Sequence, residues 1–300
     1  MFRFVLIFVL ANSAFAQTHD APIELTGTLA KARAAGAVTL AYRESSVPFS
    51  YLNARGEPVG YSIELCKKLV EAMGETLGRE LGLKWLPVTS ETRMAAIVSG
   101  KADLECGSTT SNLERQKQVA FSPVIFVAGT KLLVKRGSEV RSYRNLAGKT
   151  VVVTAGTTND QAMQAIARRF KIDMKIVREK DHATSYARLE SGKADAFATD
   201  DVLLYGLLAQ HKAQKRYQVV GEFLSYDPYG IMFRRNDPQL AALVNRAFHD
   251  LAEDGEIERQ YKRWFLQRLP DPHGKGASLD LPMSPQLETI VRTMAETKPE

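Results

Sequence analysis

Two cysteines in 300 residues are too few to frame a disulfide-built miniature fold. The five histidines, His19, His182, His211, His249 and His273, stand at no spacing that a metal site requires, so neither a metal nor any other cofactor is expected. Long apolar runs are missing as well: the run at residues 4–10 falls far short of the ~20 residues that cross a bilayer. Charge of one sign is not concentrated anywhere. The net charge of +6 is spread over interspersed acids and bases, without the basic stripe that nucleic-acid binding wants, so no nucleic-acid partner is expected. With 45% hydrophobic residues, disorder is excluded as the main state.

What is present starts with Met1-Phe2-Arg3, the apolar run, and small residues ending in Ala14-Phe15-Ala16. That order predicts a cleavable signal peptide over residues 1–16 and a soluble, periplasmic mature chain. No cysteine follows the predicted cleavage point to carry a lipid anchor. The roughly 284 residues that remain are enough for two domains with a sizeable core. Cys66 and Cys106 can pair in an oxidising compartment or stay as small buried hydrophobes, and the sequence leaves both readings open.

β-rich runs alternate with segments of helical period, the mark of α/β units around largely parallel sheets. Residues 38–42 read as a strand; Ile63, Cys66, Leu69, Val70, Met73 and Leu77 recur at helical steps. A second helix is predicted over 91–99 and a strand over 102–106. The most informative feature is an echo: Ser99-Gly-Lys-Ala-Asp103 returns 92 positions later as Ser191-Gly-Lys-Ala-Asp195, each time between a helical segment and a strand. The same offset sets Ser90 opposite His182 and Ser108 opposite Asp200. Two similar lobes are expected, each a mostly parallel sheet flanked by helices. Lobe 1 takes residues 28–130 plus 227–300 and lobe 2 residues 131–226, with two hinge crossings near 128–131 and 224–229. Residues 270–285 read as an extended wrap before a final amphipathic helix.

In open α/β sheets ligands bind beyond the carboxyl ends of strands, which aims the echoed positions at one shared cleft. On the first lobe Arg43, Ser90 with Arg93, Ser108 to Thr110, and Arg115 fall there. Guanidinium groups match carboxylates in two-point fashion, so three of them suit a ligand with more than one carboxylate. Plain surface pairing with Glu44, Glu91 or Glu114 would explain each arginine as well. On the second lobe Gly156-Thr157-Thr158 precedes a helix, where free amides favour an anion and a simple N-cap is equally in order. Of Asp200 and Asp201, one is suited to an ammonium and the other to capping the next helix.

Taken together, these segments resemble a known family: the periplasmic glutamate/aspartate-binding proteins of ABC importers, in the polar amino-acid branch of the type-two periplasmic binding fold. The resemblance is carried by Arg43-Glu-Ser-Ser-Val-Pro-Phe-Ser-Tyr51, Gly60-Tyr61-Ser62, Thr89-Ser90 with Arg93, Glu105-Cys-Gly-Ser-Thr-Thr110, Glu114-Arg-Gln-Lys117, Gly156-Thr-Thr158, Lys180-Asp-His182 and Asp200-Asp201. It implies that Arg115, Thr110 and the amide of Thr158 hold a ligand's α-carboxylate, and that Asp200 and Ser108 hold its ammonium. Arg43, Ser90, Arg93 and His182 would take the side-chain carboxylate. Lobe closure around L-glutamate or L-aspartate and delivery by a monomer to an inner-membrane ABC permease follow from the same resemblance. No catalytic residue is expected. The alternatives are a dehydratase-like enzyme of the same fold, for which Ser108, His182 and Asp200 are the residue types of a triad, and a ligand-sensing partner of a membrane receptor. Ser108 lacks a nucleophile elbow, since Thr110 stands where the later glycine would be.

Overall fold

The computed structural model describes residues 24–269 and 278–297. The predicted signal peptide at 1–16 and much of the predicted wrap, 270–277, lie outside the described residues.

Two five-stranded sheets carry the structure. In the first, Gly82–Pro87, Ala37–Tyr42 and Leu104–Glu105 run parallel, and Met232–Arg234 then lies antiparallel between Leu104–Glu105 and Val119–Phe121. The second repeats this pattern: Lys175–Glu179, Thr150–Thr154 and Ala196–Asp200 run parallel, with Thr130–Lys135 antiparallel between Ala196–Asp200 and Tyr217–Val220. In each sheet the one reversed strand is the one through which the chain arrives from the other lobe. The two crossings pair with each other antiparallel, Phe126–Ala128 against Asp227–Tyr229.

The repeated pentapeptide does the same work in both lobes. Ser99 and Ser191 each end a helix, and Gly100 and Gly192 take φ of 70° and 72°, a left-handed conformation that costs glycine nothing. Asp103 Oδ2 accepts from the Thr39 amide at 2.8 Å, and Asp195 Oδ2 accepts from the Thr150 amide at 2.7 Å. Each aspartate thereby fixes the start of its own strand against the neighbouring one. The helix expected over 91–99 is shorter, Arg93–Val98, because the hydroxyls of Thr89 and Thr92 bond to each other's backbone amides and hold 89–92 as a turn.

The larger core belongs to the first lobe. Phe49, Tyr61, Phe126, Tyr229, Tyr261 and Phe265 pack edge-on or stacked with centroids 4.4–6.3 Å apart, within the range where aromatic pairs add to simple burial. Phe126 and Tyr229 come from the crossings, so the hinge is anchored in this cluster. The helix Tyr61–Leu77 buries Ile63, Leu65, Cys66, Leu69, Val70 and Met73 on one face. Its Cys66 is bonded to Cys106, which follows the Leu104–Glu105 strand; the pairing left open by the sequence is thus made. The final helix, Pro285–Glu296, buries Leu287 and Val291 against this core. Within the described residues no helix is long and apolar enough to cross a membrane.

Candidate functional site

Apart from Arg115, which lies within the short helix Leu113–Gln116, each predicted site residue follows or ends a parallel strand or starts the next helix. Arg43 follows Ala37–Tyr42; Ser90 and Arg93 follow Gly82–Pro87; Ser108 and Thr110 follow Leu104–Glu105. In the other lobe Thr158 and His182 are first residues of their helices, and Asp200 ends its strand. Arg43, Ser90, Arg93, Ser108, Thr110, Thr158, His182 and Asp200 all line one small pocket between the lobes. Arg115 is not among the residues lining it but lies beside it, Nη1 donating to the Thr110 carbonyl at 2.9 Å and Nη2 to the Gly156 carbonyl of the opposite lobe at 3.4 Å.

The arginines are not solvated surface partners of their neighbouring acids. Arg43 and Arg93 are buried, 1% and 2% exposed, and Glu114 pairs with Lys117 instead of Arg115. Burial pulls the Arg43 guanidinium down to about 10, with the adjacent Arg93 cation adding to the effect. Arg115 is drawn down to about 9, by burial first and by Arg93 next. Both stay cationic at neutral pH. Both Nη atoms of Arg43, Nε of Arg93, and the hydroxyls of Ser90 and Ser108 are buried without a protein hydrogen-bond partner. Such groups are costly unless something polar meets them, and here they converge on one pocket.

The facing lobe supplies the opposite sign. Asp200, 3% exposed, accepts from Asn159 Nδ2 at 2.7 Å and from the Tyr229 hydroxyl. Burial, with the charge of Asp227 second, pushes its carboxyl up to about 8. Of the acidic pair, neither caps the next helix in the simple way expected: Asp200 occupies the cap position with its side chain turned to Asn159 and Tyr229, and Asp201 Oδ1 accepts from the Gly129 amide in the first crossing. His182 is 1% exposed, with Nδ1 2.8 Å from Thr154 Oγ1. Burial and the two cations Arg43 and Arg93 hold its ring well below the usual range, so it is neutral at pH 7. Thr157 is the N-cap of its helix, accepting from the Asp160 amide at 3.2 Å. The triad suggested by residue type is not assembled: the His182 and Asp200 partners named here are Thr154, Asn159 and Tyr229, not each other or Ser108.

The lobes meet closely around the pocket. Thr110 Oγ1 lies 3.3 Å from Thr158 Oγ1 across the cleft, and donates to Asp227 Oδ1 at 3.0 Å. A Cβ on Gly156 would fall 2.8 Å from the Glu91 amide nitrogen. On Gly206, in the helix after Asp200, it would fall 2.1 Å from the Val47 carbonyl oxygen. Sequence reasoning missed Tyr229, Asn159 and Thr154, the side chains that orient Asp200 and His182. Only the place of Tyr229 at a crossing hinted at it.

The pattern of the bacterial extracellular solute-binding proteins, family 3, matches residues 38–267. An L-glutamate/L-aspartate-binding protein from Pseudomonas aeruginosa is 41% identical over 297 residues, covering 97% of this chain and 97% of its own. A glutamate/aspartate import solute-binding protein from Escherichia coli is 39% identical over 288 residues, 95% of this chain and 94% of its own. Among solved structures, an ancestral arginine-binding protein bound to glutamine superposes with a TM-score of 0.70 at 28% identity, covering 77% of this chain and 99% of its own. An ancestral amino acid-binding protein, a precursor of cyclohexadienyl dehydratase, gives 0.69 at 28% identity, with 79% and 99% covered.

Proposed function

The chain belongs to the bacterial extracellular solute-binding proteins of family 3, and from that premise we propose that it captures L-glutamate or L-aspartate between its lobes and delivers it to an ABC permease. The observation that carries this is the charge layout of one pocket: Arg43 and Arg93, with Arg115 beside it, face Asp200 from the opposite lobe. An acidic amino acid has two anionic poles and one cationic pole, and this arrangement is its complement. The names of the Pseudomonas aeruginosa and Escherichia coli relatives support the same ligand.

In this reading Arg115, Thr110 and the Thr158 amide hold the α-carboxylate; Asp200 and Ser108 hold the ammonium; Arg43, Ser90, Arg93 and neutral His182 hold the side-chain carboxylate. Because the contacts come from both lobes, the set is complete only when they close, and the cation-to-carboxylate bonds form away from water. The close passage of Gly156 and Gly206 against the first lobe is what closure needs. The role is binding, not catalysis: the hydrogen bonds of His182 and Asp200 hold each for a ligand charge, with no base delivered to the Ser108 hydroxyl. Export by residues 1–16 to the periplasm and action as a monomer complete the proposal.

A thermal-shift screen of the signal-free protein with each of the twenty amino acids tests it. Ligand that binds only the folded state raises the melting temperature. A large upward shift is expected with L-glutamate and L-aspartate alone; an equal or larger shift with arginine or glutamine would sink the assignment.

A further inference from the structure

Beneath the pocket lie two polar side chains that do not line it. Ser108 and Thr110 face the pocket, and between them Thr109 points the other way, at 0% exposure. Its hydroxyl accepts from Arg93 Nη1 at 2.6 Å and donates to Glu105 Oε2 at 2.6 Å. A hydroxyl has a single proton, and a carboxylate can only accept, so the direction of this chain is fixed. Glu105 is itself 0% exposed, and its Oε1 has no hydrogen-bond partner. Gly107 makes room for it: a Cβ there would lie 2.2 Å from Glu105 Oε1 and 3.1 Å from Arg43 Cγ. Glu105 is thus packed under the arginines.

We propose that Glu105 and Thr109 are positioning residues that set the preference for a charged ligand side chain, Thr109 by fixing the Arg93 guanidinium and Glu105 by supplying the buried counter-charge to the arginines. An arginine side chain is long and rich in rotamers, so the hold of Arg93 on a ligand carboxylate depends on where its fork is held before the ligand arrives. A hydroxyl that donates a hydrogen bond to a carboxylate is polarised into a stronger acceptor, so the Glu105 charge is felt at Arg93 through Thr109. Burial lowers the proton affinity of Arg43, Arg93 and Arg115 alike, and in each case Glu105 is the foremost acid opposing that change. An uncharged ligand side chain depends less on this cation. Discrimination between L-glutamate and L-glutamine is therefore where these two residues act.

The inference rests on the reading of the pocket as a site for acidic amino acids, and the test separates the two. Wild type, Thr109→Val, Thr109→Ser and Glu105→Gln are titrated calorimetrically with L-glutamate and L-glutamine. Thr109→Val is expected to weaken glutamate about tenfold or more while glutamine changes by less than about threefold, with Thr109→Ser restoring the wild-type ratio. Glu105→Gln is expected to shrink the ratio in the same sense. If Thr109→Val weakens both ligands by the same factor, or neither, the inference falls while the pocket reading stands. If the wild type binds no acidic amino acid, both fall. A Glu105→Gln protein that folds and keeps the wild-type ratio overturns the part assigned to Glu105.

Discussion

The Tyr229 hydroxyl donates to Asp200 Oδ2, joining a residue of the second crossing to the acid that ends the central strand of the opposite lobe. The Tyr229 ring is held among Phe49 and Phe126 in the core of the first lobe, so the acid is oriented from across the hinge. Tyr229→Phe keeps the ring and removes only this bond. The expected result is a ligand affinity lowered by about tenfold, the scale of one hydrogen bond to a charged group, with a melting temperature close to wild type. Calorimetric titration with L-glutamate beside a thermal melt checks both halves.

Asp200 is expected to make binding sensitive to pH. Its folded-state pKa is raised to about 8 from an ordinary 3.8, by burial first and the charge of Asp227 next, so the ligand-free acid is largely protonated at pH 7. The unfolded chain loses this proton near pH 4, so Asp200 contributes stability that declines as pH climbs from there through about 8. An ammonium needs the carboxylate. Capture at pH 7 is expected to release a proton, and affinity to rise by up to about tenfold per pH unit on the way to pH 8. Titrations in two buffers of unlike ionisation heat measure the proton directly, and Asp200→Asn should show none.

Gly206 separates closure from folding. Within a helix, glycine to alanine ordinarily stabilises by up to about 1 kcal/mol. Here the added methyl would stand 2.1 Å from the Val47 carbonyl of the first lobe. Gly206→Ala is expected to leave the ligand-free melting temperature equal or higher and to weaken L-glutamate by more than about tenfold. Equal affinity in the two proteins would show that the lobes need not meet at this point.

The Cys66–Cys106 bond, closing a separation of 40 residues, ties a core helix to the segment that leads into Ser108 and Thr110. Chain-entropy reasoning gives about 4 kcal/mol for a loop of this length. Cys66→Ser with Cys106→Ser should lower the unfolding free energy from denaturant titration by a matching amount, and a reducing agent should move the wild type toward it.

Much of this was legible in the residues. The repeated Ser-Gly-Lys-Ala-Asp placed two lobes and their matched strand ends, because both copies keep the same left-handed glycine and the same aspartate-to-amide bond. Residues proposed to face the ligand, such as Arg93 and Asp200, stand out by type against an apolar background. Those that position them do not. Tyr229 reads as one more strand aromatic, Asn159 as a first-turn helix residue, and Thr109 as a spacer between Ser108 and Thr110. Their partners are distant in sequence or on the hidden side of a loop, and only packing reveals them. The disulfide was open for the same reason: two cysteines pair by proximity, here 6.1 Å between Cα atoms, which spacing does not encode.

The central claim is that cations of one lobe and Asp200 of the other grip a single ligand. A crystal structure of the mature protein grown with L-glutamate tests it most directly. The account predicts the ligand ammonium about 3 Å from an Asp200 oxygen, the α-carboxylate on Arg115, and the side-chain carboxylate between Arg43 and Arg93. A ligand seated elsewhere, or one whose ammonium points away from Asp200, would contradict it.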